Sequence, residues 1–142
     1  MSRRLRLVLN PQELDFKAIS RLMAVVGMRE RKPSQMRRAV IASSDVVVAY
    51  FGDELVGFGR MISDQTYYGT IWDVAVTPEL QGRRIGSRII EKLLQRARTR
   101  KLTMVGLFTA SHNRDFYERT GFTYLDDIHA MTTCLEPGKD HE

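Results

Sequence analysis

At 142 residues, 43% hydrophobic and 27% charged, the chain has the balance of one globular domain spanning its whole length, which speaks against disordered and multidomain readings. No stretch reaches the roughly 20 apolar residues of a membrane span, and the basic opening MSRRLRLVL is broken by Asn10 and Pro11, so a soluble, cytoplasmic protein without a membrane partner is expected. The lone cysteine, Cys134, forbids an internal disulfide; His112, His129 and His141 lack metal-ligand spacing, so no metal is expected; and the net charge of +5 favours an anionic ligand.

Taken in chain order, Leu5–Leu9 reads as a strand. A helix follows from about Asp15 to Val26, then a second after Pro33 with Ser34 as its cap. Asp45–Phe51 and Leu55–Ser63 are rich in β-formers and are joined by Gly52, Asp53 and Glu54, which predicts a hairpin. Gly69–Val76 is a further strand. Ile85–Arg100 is the best-defined helix, because Ile85, Ile89, Ile90, Leu93, Leu94 and Ala97 fall on one stripe and leave the arginines to the opposite face. Met104–Thr109 is a strand, Asn113–Thr120 a short helix closed by Gly121, and Phe122–Cys134 two more short strands.

The link between Val76 and Ile85 carries the chemistry. A strand, a turn with glycine, then a helix whose first turn is basic is a phosphate-binding arrangement: the first helical amides have no internal acceptor, and the helix dipole favours negative charge there. Arg83, Arg84, Arg88, Lys92, Arg96, Arg98, Arg100 and Lys101 face a single Glu91 in this region. A nucleic-acid module would account for that charge but not for Gly82, Gly86 or Phe116-Tyr117, so no nucleic-acid partner is expected.

The run from Val74 to Ser87 resembles the acetyl-CoA signature of GNAT N-acetyltransferases, Q/R-x-x-G-x-G/A, with Gln81 and Gly86 at the outer positions and Arg84 in place of the middle glycine. Asn113-Arg114-Asp115-Phe116-Tyr117-Glu118-Arg119-Thr120-Gly121-Phe122 resembles the second hallmark, F-Y-x-x-x-G-F. Ile71-Trp72-Asp73-Val74 before Pro78-Glu79-Leu80-Gln81-Gly82 is similar to the plastid and cyanobacterial group that includes arylalkylamine (serotonin) N-acetyltransferases; where those tend to carry an aspartate, this chain has Ala110. The resemblance implies an α/β (α+β) GNAT fold, a mixed, mostly antiparallel sheet of about six or seven strands with about four helices. It implies acetyl-CoA as coenzyme, a small-molecule amine acceptor, arylalkylamines among the candidates, with protein lysines or N-termini as the alternative, and a homodimer paired through the last strands.

The resemblance also assigns residues. The strand end Val74, Ala75 and Val76, with Gln81, Gly82, Arg83, Arg84, Ile85, Gly86 and Ser87, would hold the coenzyme, largely through the main chain, and the amide of Val74 would face developing oxyanion charge. Tyr117, beside Phe116, would protonate the leaving sulfur. Asn113 would touch the pantetheine arm or cap a helix. Asp73 is the nearest carboxylate and would serve as base through a water or as a hydrogen-bonded structural residue; strict alternation sets Thr70, Trp72, Val74 and Val76 on one face and Asp73 on the other, so an inward Asp73 needs a bulge. Apart from the resemblance, Trp72, Tyr67 and Tyr68 are candidates to line an aromatic acceptor pocket and Asp126 with Asp127 to attract a cationic amine, with packing and turn chemistry as the alternative for each.

Overall fold

The computed structural model describes residues 3–136; His141 lies outside them. Two compact units divide the chain, one through Leu107 and one from Phe108 onward. In the first, five strands lie in the order β1-β2-β3-β4-β5: β1 (Leu5–Leu9), β2 (Asp45–Phe51), β3 (Glu54–Ser63), β4 (Tyr68–Val76) and β5 (Met104–Gly106). The first four are mutually antiparallel, and β5 joins β4 in parallel.

Three helices cover this sheet. Helix α1 (Phe16–Val25) starts where Asp15 accepts the Ala18 amide at 3.0 Å, satisfying one of the donors a helix start leaves over. Helix α2 (Pro33–Ala42) begins with Pro33 in its first turn and no side-chain cap. Proline needs no amide partner there, so Ser34 lies inside the helix instead of capping it. Ile19, Leu22 and Met23 of α1 and Met36 and Val40 of α2 pack on Val46, Val48, Phe58 and Ala75.

Helix α3 (Ile85–Thr99) covers the other face, where Ile85 and Ile89 sit over Gly57, and Ile89 and Leu93 over Gly59. Its predicted stripe is buried at Ile85, Ile89, Ile90, Leu93 and Ala97. Each fully buried Ile or Leu contributes about 1.5–3 kcal/mol relative to exposure. The arginines do not all take the opposite face. Arg96 and Arg100 turn in to Asp45, a fully buried carboxylate at the start of β2, and withdraw from the basic surface.

The hairpin forms as expected, with Gly52 at φ 64° and β3 already starting at Glu54. Fewer strands form than the six or seven expected. Strand β5 stops at Gly106 instead of reaching Thr109, and Phe122–Cys134 contains no strand. That segment is exposed except at Phe122; an extended chain gains its ladder bonds only beside a partner strand, and none pairs with it among the described residues. In the second unit a single turn at Ser111–Asn113 leads into α4 (Arg114–Arg119), closed as predicted by Gly121 at φ 105°.

Candidate active site

Beyond β4 the Thr77 amide donates to Val56 O at 2.8 Å, and Pro78–Leu80 make one tight turn. Gln81 then folds back: its Nε2 donates to Val76 O at 3.0 Å, so its side chain shapes the turn. Gly82 (φ 84°) and Arg84 (φ 63°) are both left-handed and swing the chain into α3. Arg84 thus holds, as a non-glycine residue, the conformation that favours the glycine of the signature, at about 1–2 kcal/mol of backbone cost. No side chain caps α3 at Arg84. The amides of Ile85, Gly86 and Ser87 therefore lack an acceptor within the helix. A Cβ added at Gly82 would meet nothing within 4 Å, so the ground above the turn is open. Arg83, Arg84 and Arg88 are exposed beside it. Open amides, a helix dipole and three cations fit a pyrophosphate, so these residues fit acetyl-CoA.

Upstream, β4 carries a bulge. Phe58 pairs with Ala75 but Arg60 pairs with Trp72, so Gly59 alone opposes both Asp73 and Val74. Asp73 is the extra residue, at φ 58°. The bulge corrects the strict alternation: Val74 turns toward Gly59 on the α3 face, while Trp72 stays beside Thr70, its Nε1 donating to Thr70 Oγ1 at 2.9 Å. Asp73 is 5% exposed, and its Oδ2 accepts from Arg31 Nη1 at 2.6 Å and Arg60 Nε at 2.7 Å. Burial alone would raise its pKa, but the two guanidinium hydrogen bonds and charges outweigh burial and hold it below the ordinary carboxylate value.

Strand β4 is paired to β5 only at Tyr68, Gly69 and Thr70. From Ile71 onward no strand covers that edge among the described residues, and the bulge and the turn to α3 follow along it. Trp72 is 38% exposed next to Asp73. Tyr67 and Tyr68, with rings 6.0 Å apart, lie at the opposite end of β4 from Val76, about 25 Å away at strand rise. They are exposed at a turn whose Asp64 accepts the amides of Thr66, Tyr67 and Tyr68. The structure does not gather them with the motif.

Within the second unit, Phe116 and Tyr117 meet edge to face at 4.9 Å, and Tyr117 meets Phe122 at 5.9 Å. Burial pushes the Tyr117 phenol up from its ordinary value of 10.0, keeping it protonated. Asn113 stands at the cap position of α4 without capping it; its Nδ2 donates to Thr109 Oγ1 at 3.2 Å, because a short turn precedes the helix and draws the side chain back. Asp126, Asp127, His112 and Cys134 are exposed.

Arg31, Arg60 and the Asp45 cluster escaped the sequence reading. Asp45 accepts from Arg96 Nε at 2.9 Å, Asn10 Nδ2 at 3.1 Å and Arg100. Their partners lie 13 to 55 residues away, and a single sequence carries no signal for such pairs. Only the bulge that an inward Asp73 requires hinted at one.

Among known proteins, serotonin N-acetyltransferase 2, chloroplastic, from Oryza sativa subsp. japonica is 29% identical over 119 residues, covering 80% of this chain and 59% of that protein. Histone acetyltransferase TAP1 from Glycine max is 31% identical over 121 residues, covering 78% and 52%. The chain spans about half the length of the curated relatives it matches, with 27% of the chloroplastic GCN5-related N-acetyltransferase 2 of Arabidopsis thaliana and 59% of the rice protein covered. The chloroplastic names give no support to the cytoplasmic expectation. The fold is that of a GNAT-family acetyltransferase from Streptococcus pneumoniae, with TM-score 0.79 at 22% identity, covering 94% of this chain and 100% of that one. The model of the acetyltransferase (GNAT) family matches residues 19–122, from α1 through the bulge, the turn into α3 and the Phe116-Tyr117 helix; the chain belongs to the GNAT acetyltransferase family.

Proposed function

We propose that the protein transfers the acetyl group of acetyl-CoA to a primary amine by direct attack in a ternary complex. The observation that carries this reading is the uncapped start of α3 after the left-handed Gly82 and Arg84, where three first-turn amides stand without helical acceptors beside Arg83, Arg84 and Arg88. Those amides and cations would hold the coenzyme phosphates. Bound there, acetyl-CoA supplies an activated acetyl thioester.

An alkylammonium of pKa about 10.4 is only about one part in 2,500 neutral at pH 7, and only the neutral amine attacks. Asp73, held ionised by Arg31 and Arg60, is a weaker base than an ordinary carboxylate. This supports an orienting role, with the amine proton going to water. The Val74 amide, next to the bulge on the stretch of β4 that pairs with no further strand among the described residues, is the proposed donor to developing negative charge. Tyr117, kept protonated by burial, is the proposed proton donor to the leaving thiolate.

For the acceptor we favour a small amine, arylalkylamines included. The rice relative's name and the exposed Trp72 beside Asp73 support this. The soybean relative's name keeps a protein lysine as the second reading. The test is thiol release from acetyl-CoA with tryptamine, serotonin, spermidine, a lysine peptide or no acceptor, for wild type and Tyr117→Phe. Amine-stimulated release, slowed about 10²-fold or more in the variant, is the expected result. Acetyl-CoA binding without turnover on any acceptor would replace the enzyme with an acyl-CoA sensor.

A further inference from the structure

The α2 helix is bracketed by one ionic cluster. Before its first residue, Arg31 reaches from the α1–α2 loop to Asp73 Oδ2 at 2.6 Å, with the same Nη1 3.9 Å from Met36 Sδ. After its last residue, Ser43 Oγ accepts from Arg60 Nη1 at 3.3 Å and donates to Ala39 O at 2.8 Å, while Arg60 Nε holds the same Asp73 oxygen at 2.7 Å. Both ends of α2 are thus tied, through two guanidiniums, to the one residue that forms the bulge. Asp73 sits at φ 58°, a left-handed conformation that aspartate reaches more readily than most residues but still at a cost, which a restraint from outside the strand offsets. Two charge-assisted hydrogen bonds to a carboxylate 5% exposed are such a restraint. Oδ1 of Asp73 takes no hydrogen bond among the described residues, so the clamp uses one oxygen and leaves the other open.

We infer that Arg31 and Arg60 are positioning residues: by clamping Asp73 Oδ2 they fix the bulge of β4, and with it the Val74 amide, and seat the α1–α2 loop against it. This deepens the acetyltransferase reading and rests on it for its catalytic consequence, but not for its structural one. Arg31 is the residue to test, because its side chain is 32% exposed and can be removed without opening the core. Arg60, 13% exposed, is the stricter companion.

The experiment compares wild type, Arg31→Ala, Arg31→Lys and Arg60→Met by amide hydrogen exchange and by acetyl-CoA turnover across pH. Arg31→Ala is expected to speed exchange at Thr70–Val76 at least tenfold while the amides of α3 stay protected. The same variant is expected to lower kcat at least tenfold with little change in the KM for acetyl-CoA, and to move the acid limb of kcat/KM to higher pH. Added ethylguanidinium should restore both exchange protection and rate. Unchanged exchange at the bulge in both Arg31→Ala and Arg60→Met overturns the clamp. So does a rate loss without rescue by ethylguanidinium or by Arg31→Lys and without movement of the acid limb. If wild type acetylates no amine, the acetyltransferase reading fails on its own, and the exchange arm still decides whether Arg31 and Arg60 hold the bulge.

Discussion

Asp45, the first residue of β2, accepts hydrogen bonds from Arg96 and Arg100, one turn apart near the end of α3, and so anchors the helix to the sheet at the end remote from the phosphate-binding turn. The carboxylate is 0% exposed, so its cost of burial is offset only while both guanidiniums and Asn10 stay in place. Asp45→Ala would leave two part-buried cations without a counter-charge. We expect a loss of about 3 kcal/mol, read as a lower urea midpoint at unchanged m-value. A loss below about 1 kcal/mol would show that the anchor carries little.

The same carboxylates set the acid limit of the fold. Burial would raise the pKa of Asp45, but hydrogen bonds from Arg100, Arg96 and Asn10 outweigh it, and Asp73 is lowered in the same way by Arg31 and Arg60. Both are depressed in the folded state, so their contribution is fully present above the unfolded pKa near 3.9 and is lost as pH falls through the folded values. Urea midpoints should therefore stay level down to about pH 5 and drop below about pH 4. In Asp45→Asn the drop should be shallower, since one of the two groups no longer takes up a proton.

Arg84 carries a left-handed backbone that a glycine would adopt freely. Relieving about 1–2 kcal/mol of conformational cost, less the extra unfolded-state freedom of glycine, Arg84→Gly should gain about 0.5–1 kcal/mol, or roughly 2–4 °C in Tm. The variant also loses one cation beside the turn, so its affinity for acetyl-CoA should fall and depend less on salt. Thermal melts and binding titrations at two ionic strengths check both halves.

A Cβ on Gly59 would lie 2.7 Å from Ile89 Cγ2, closer than carbon atoms approach, with Leu93 and Val74 at 3.5 Å. Gly59→Ala should cost about 1–3 kcal/mol by overpacking. Ile89→Leu removes the offending branch, so the double variant should recover part of that loss, a non-additivity measurable in denaturant.

Much of this architecture was legible because its signals are local. The isoleucines of α3 repeat at helical spacing, β2 is a run of β-formers, and Gly121 stops α4 where a left-handed backbone favours a residue without Cβ. The phosphate turn was likewise readable from Gln81, Gly82 and Gly86. The bulge could be stated only as a condition on Asp73, because an extra residue shows only against the partner strand that it fails to match. Arg31, Arg60 and Asp45 were hidden for a related reason: in one sequence a buried ion pair looks the same as two solvated charges. The strands read into Phe122–Cys134 had the right composition but no partner among the described residues, and β-propensity measures fit to a neighbour more than an intrinsic preference.

Gly57 and Gly59, two residues apart on one face of β3, let α3 ride low over the sheet, with Ile85 and Ile89 filling the space that side chains would otherwise take. The height of the helix, and hence the place where its first amides stand, is dictated by absent atoms in the strand beneath and not by the loop that leads into it. The turn from Thr77 to Arg84 is thereby relieved of the task of aiming the helix. It can accept a residue as unsuited to its backbone as Arg84 while the amides of Ile85, Gly86 and Ser87 keep their place.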